Sequence, residues 1–87
     1  MQESGSLDER SKRILDFERT WWMQSRPKER AIRDHFGWSA ARYYQLLNRL
    51  IDTPEAMRHD PMLVKRLRRL RAARRRQRFA RHFGLQS

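Results

Sequence analysis

The final third of this chain is a polycation, and that limits where a core can form. Residues 61–87 carry ten cations, Lys65, Arg66, Arg68, Arg69, Arg71, Arg74, Arg75, Arg76, Arg78 and Arg81, and no acid. Residues 1–60 hold all ten acids and eleven bases, the balance of an ordinary globular sequence. A charged run is often no more than a solvated face. Such a face mixes signs for solubility and internal pairing, and this one does not. Segregated positive charge points to a polyanionic partner, nucleic acid ahead of an anionic membrane. With 87 residues and a net charge of +11, the chain has room for one small domain and a tail. A domain of this size buries only about 60% of its unfolded surface, so its core needs large fillers. Phe17, Trp21, Trp22, Phe36, Trp38, Tyr43 and Tyr44 supply them, all within residues 17–44.

Capping and turn residues divide the chain into helices. Ser6-Leu-Asp-Glu9 has the form of a capping box, and Ile14, Phe17 and Trp21 follow at helical spacing, which predicts a first helix over 7–25. Trp21 and Trp22 point about 100° apart on a helix, so one belongs in the core and the other widens the buried stripe or meets a partner. Pro27 suits the first position of a second helix, where its missing N–H costs nothing. That helix runs to Phe36, and Gly37 tolerates the left-handed conformation that follows a helix end. Ser39 caps a third helix ending near Asp52. Thr53-Pro-Glu55 and Asp60-Pro61 each set a capping side chain before proline, opening a short helical turn and then a terminal helix over 61–83. Leu63, Leu67 and Leu70 give that helix an apolar stripe.

The expected fold is all-α: a helix-turn-helix three-helix core, a short helical turn and a long Arg-rich C-terminal helix. Residues 1–6 read as a flexible tail, 7–71 as the helical domain and 72–87 as a basic helical extension. Phe17, Trp21, Ile32, Phe36, Trp38, Tyr43, Leu47 and Leu50 are expected to form one buried cluster.

Glu29–Asn48 is the segment that reads as a helix-turn-helix. Two helices meeting steeply across a tight turn need apolar residues where they touch and a residue such as glycine at the bend. Ile32 and Phe36 face inward from the first helix, Gly37 makes the bend, and Tyr43 and Leu46 close the seam. Arg33 departs from the pattern, which prefers a small residue there. With Tyr43, Leu47 and Leu50 inward, the third helix presents Ala41, Arg42, Gln45, Asn48 and Arg49 outward. Arg pairs bidentately with guanine, Gln and Asn pair with adenine, and Ala leaves room for a thymine methyl. These are the candidate base contacts. An exposed polar helix face looks much the same, but no acid lies between Ser39 and Ile51 to repel phosphate. The ten cations of residues 61–87 are the candidate phosphate contacts. Pairs such as Arg71 and Arg75, or Arg74 and Arg78, destabilise an isolated helix by roughly 0.2–0.5 kcal/mol each, a repulsion that phosphates relieve.

The strings Leu15-Asp-Phe-Glu-Arg-Thr-Trp-Trp22, Ala31-Ile-Arg, Phe36-Gly, Ser39-Ala, Arg42-Tyr-Tyr-Gln, Leu47-Asn and Asp60-Pro-Met-Leu-Val-Lys-Arg-Leu67 resemble a family of short actinobacterial proteins. The family is catalogued mainly as a domain of unknown function, and some members are regarded as nucleoid-associated DNA-binding proteins. The likeness covers roughly residues 13–71 and leaves the Arg-rich end beyond Arg71 outside it. It implies a chromosome-binding or transcription-related role and brings no catalytic residues.

Catalysis needs converging titratable groups, and the sequence offers no such set. His35, His59 and His82 lack metal-ligand spacing, Asp16 and Glu18 point to opposite sides of a helix, and three glycines make no phosphate loop. No enzyme activity, metal or cofactor is expected. Absent cysteine fits a reducing compartment. The polar start Met1–Ser6 has no apolar run behind it, which points away from a signal peptide. The expected location is the cytoplasm, at the nucleoid. Double-stranded DNA is the favoured partner, through a nucleoid-associated or transcription-regulating role. RNA or the ribosome is the first alternative. The second is an interaction module for the transcription machinery, with Trp22 in a homodimer or RNA polymerase contact. No membrane partner is expected, because arginines surround residues 65–81 almost completely.

Overall fold

The computed structural model describes residues 7–82, with side chains as far as Ala80. The expected tail 1–6, the capping residue Ser6 and the side chain of Arg81 lie outside the described residues. Among the described residues five helices follow one another: α1 (Glu9–Thr20), α2 (Lys28–Phe36), α3 (Ala40–Leu50), α4 (Pro54–His59) and α5 (Pro61–His82). A 3₁₀ turn over Trp21–Met23 closes α1. The described residues contain no strand, so the fold is all-α.

The helix boundaries follow local chemistry. Asp8 caps α1, its carboxylate accepting from the Ser11 amide at 2.8 Å. That bond holds the Asp8 carboxyl below the usual carboxylate range. The helix therefore starts at Glu9, two residues later than expected, and tightens into the 3₁₀ turn where an α-helix through residue 25 was expected. Pro27 stands one place before the first residue of α2, in an extended conformation, and its carbonyl accepts from the Ala31 amide. Gly37 ends α2 with φ of 75°, the left-handed geometry that glycine tolerates. Ser39 caps α3 by accepting from the Arg42 amide at 3.2 Å. Thr53 and Asp60 do the same for α4 and α5.

Thirteen apolar side chains among the described residues form the core. Ile14, Leu15 and Phe17 come from α1, Ala31 and Ile32 from α2, and Tyr43, Leu47, Leu50 and Ile51 from α3 and its end. Ala56 of α4 and Leu63, Val64 and Leu67 of α5 close it. Five of the eight expected core residues are buried. Trp21, Phe36 and Trp38 are half-buried instead, packed against the cluster from its edge. Trp38 stacks on Phe36 with ring centroids 4.8 Å apart, which spends its area on one neighbour at the α2–α3 turn.

The stripe on α5 also differs. Leu63 and Leu67 are buried, but Leu70 is 47% exposed. Val64 decides this, because its complete burial rotates the inward arc of α5 toward Arg68 and Arg71. Leu70 lies about 20° beyond Leu63, at the edge of that arc and about 100° from Arg71 near its middle.

Candidate nucleic-acid interface

The placement of α3 begins with a charge inside the core. Glu18 of α1 falls between Ile14 and Leu15 on the apolar face and is 3% exposed. A buried carboxylate is costly unless paired and hydrogen-bonded. Its partners come from the next two helices. The Tyr43 hydroxyl of α3 donates at 2.5 Å, and the Lys28 ammonium of α2 lies 3.0 Å away. No buried side-chain polar atom among the described residues lacks a partner. Burial, reinforced by the Glu18 charge, pushes the Tyr43 phenol well above its ordinary value, so it stays a proton donor. Lys28 also sits over the rings of Trp21 and Tyr44, 5.0 and 5.1 Å from their centroids. One acid thus fixes the rotation of α3 relative to α1 and α2. The distance of Glu18 from Asp16 around the helix says nothing of this role. The signal that finds it is a carboxylate at i+4 from Ile14 and i+3 from Leu15.

With Tyr43, Leu47 and Leu50 turned inward, all five candidate base contacts emerge on the outer side. Ala41, Arg42, Gln45, Asn48 and Arg49 are each exposed. The α2–α3 turn spans three residues, Gly37, Trp38 and Ser39. Arg33 is exposed and does not enter the seam.

Two of the arginines on α5 have work inside the molecule. The last turn of α3 leaves carbonyls without helical donors, at the negative end of the helix dipole. Arg68 donates to the Ile51 carbonyl at 2.7 Å, and Arg71 donates to the Asn48 carbonyl at 3.2 Å. Arg71 also forms a two-point pair with Asp52, at 3.1 and 2.7 Å. That pair holds the Asp52 carboxyl below the usual range and raises the Arg71 guanidinium. The two arginines act as a clamp that sets α5 against the end of α3.

Beyond the clamp, the cations divide by side. Arg74, Arg75 and Arg78 line a groove of about 350 Å³ together with Arg71 and with Tyr44 and Asn48 of α3. Arg74 lies over the Tyr44 ring at 6.0 Å. Lys65, Arg69 and Arg76 are exposed on another side, roughly 150° around α5 at about 100° per residue. Arg66 lines a second groove of about 260 Å³, with Trp22 and Leu70. Nine of the ten candidate phosphate contacts therefore have a described position, and Arg74, Arg75 and Arg78 are the ones outside the clamp that share this groove with Tyr44 and Asn48.

Trp22, the expected partner contact, is 61% exposed, its indole N–H donating to the Arg19 carbonyl at 2.8 Å. No helix among the described residues is long and apolar enough to cross a membrane.

Residues 6–79 match the family described as "Protein of unknown function (DUF3263)". The chain belongs to this family. The match runs past Arg71, where the sequence resemblance stopped, and takes in the arginines that line the α3–α5 groove. No curated protein and no solved structure is significantly similar to the chain.

Proposed function

We propose that the protein binds double-stranded DNA, with α2, the Gly37 turn and α3 acting as a helix-turn-helix and α5 contacting adjoining phosphates. One observation carries this reading: the acid-free outer face of α3 runs, at Asn48, directly into a groove walled by Arg74, Arg75 and Arg78. Base-reading side chains and phosphate-neutralising ones then approach a duplex from the same side. Phosphate contacts position a protein, and base edges specify the sequence. Gln45, Asn48, Arg42 and Arg49 are the base-reading set, Ala41 is the thymine-methyl contact, and the groove arginines are the positioning set. Roles as a nucleoid-associated protein or a transcription regulator both follow from such binding, and the first needs less sequence discrimination.

Competition between duplex DNA and a structured RNA, with Gln45→Ala alongside the parent, tests the proposal. Duplex should displace RNA from the parent. On a selected sequence Gln45→Ala should lose about 1–3 kcal/mol, and on random duplex it should lose almost nothing. RNA that persists under excess duplex would replace the DNA reading with the RNA one. Displacement by minor-groove ligands, with major-groove methylation tolerated, would remove α3 from the groove.

A further inference from the structure

We infer that the protein joins two DNA duplexes, the second held by Lys65, Arg69 and Arg76 on the side of α5 turned away from the α3 groove. This rests on the proposed duplex binding at α3, because the far row counts as a second site only if a first duplex occupies the near one. Four observations support it. The three far-row residues are exposed, and none has a carboxylate partner among the described residues. They fall near one line, at steps of four and seven residues, so they form a row along the helix and not a ring around it. Arg74, Arg75 and Arg78 face the groove shared with Tyr44 and Asn48 of α3, so the far row stands on a different side of the helix. No acid stands anywhere on α5, so the helix offers the far row no internal neutralisation.

The dimensions fit a polyanion. From Lys65 to Arg76 is eleven residues, about 16 Å of helix at 1.5 Å per residue. Duplex DNA carries one charge per roughly 1.7 Å of axis, so each far-row cation has several phosphates within reach. An α-helix with its side chains is about 10–12 Å across. A duplex lying against α3 and the near row thus covers one side of α5 and leaves the other open.

The test uses the full chain and two populations of short duplex, one carrying a donor dye and the other an acceptor. Binding to a single duplex is measured in parallel by anisotropy. Two triple variants of equal net charge are compared: Lys65→Gln/Arg69→Gln/Arg76→Gln on the far row, and Arg74→Gln/Arg75→Gln/Arg78→Gln on the near row. The parent should bring donor and acceptor duplexes together. Far-row neutralisation should abolish that transfer and leave single-duplex affinity within about threefold of the parent near physiological salt. Near-row neutralisation should weaken single-duplex binding by about tenfold or more, since three phosphate contacts are lost.

Equal losses in both variants would show an undirected cloud of charge and overturn the inference. So would transfer that survives far-row neutralisation, which would assign bridging to contacts between protein molecules. A parent that binds duplex tightly without energy transfer sinks bridging and leaves the DNA reading intact. A parent that binds no duplex sinks both.

Discussion

Glu18 is the residue on which the others depend. Its carboxylate lies among Ile14, Leu15 and Tyr43 and is held by one hydroxyl and one ammonium from two different helices. Tyr43→Phe keeps the ring and its edge-on contact with Phe17, 5.5 Å between centroids, and removes only the donor. Leaving a buried acceptor short of a partner costs about 1–3 kcal/mol. The variant's denaturation midpoint should fall accordingly with an unchanged slope, and an unshifted midpoint would show that Lys28 alone satisfies Glu18. Hydrophobic replacement of a buried ion pair is often neutral or stabilising, so the pair is better seen as specifying how α3 is rotated than as adding stability. Rotation matters here, because turning α3 by one residue would bring Arg42 into the core and Tyr43 out of it.

At the scale of elements, the contact between α3 and α5 depends on ionised groups. Asp52 is 57% exposed, and hydrogen bonding from Arg71 lowers its pKa. A carboxylate whose folded pKa is depressed contributes stability above its unfolded value, near pH 3.9, and loses it as pH falls through the folded value. The clamp should therefore hold at neutral pH and release in acid, below about pH 4. Release would appear as faster amide exchange at the end of α3 and in the middle of α5, with the buried part of α1 still protected. Asp52→Asn should show the loosened pattern already at pH 7. Identical exchange in parent and variant would mean that the Arg68 bond to Ile51 is sufficient to hold α5. Arg68 and Arg71 thus differ from the other described cations of their helix by having carbonyl partners at the C-terminal end of α3.

The described residues span 54 × 29 × 21 Å, with a radius of gyration of 14.9 Å. A compact globule of this length would have a radius nearer 12 Å. Elongation spreads the charge and keeps much of it outside the core. Removing residues 72–87 deletes Arg74, Arg75, Arg76, Arg78 and Arg81 but keeps Leu63, Val64, Leu67 and the Arg71 clamp. Folding should survive, with the near-ultraviolet tryptophan signal retained. If six or more cations meet phosphates, affinity for duplex should fall about a thousandfold between 50 and 200 mM salt for the full chain, and much less for the truncated one. An unchanged salt slope after truncation would show that the distal helix takes no part in binding.

The helices and their ends were legible in the sequence wherever a local rule applied: proline and capping residues at Ser39, Thr53 and Asp60, glycine at the Gly37 bend, and 3.6-residue spacing in between. The outward face of α3 was legible for the same reason, since burial of Tyr43, Leu47 and Leu50 dictates what lies opposite. The charge asymmetry was plain from composition alone. Other features depend on what faces an element from elsewhere in the fold. Which large aromatics reach the interior depended on the α2–α3 turn holding Phe36 and Trp38 at the rim. Leu70 lost its place to Arg71 because Val64 set the rotation of α5. Glu18 finds Tyr43 twenty-five residues away, and Arg71 finds Asp52 nineteen residues back. The division of the arginines into clamp, near row and far row has the same origin. In sequence they are one run of like charge, and only packing against α3 makes their positions unequal.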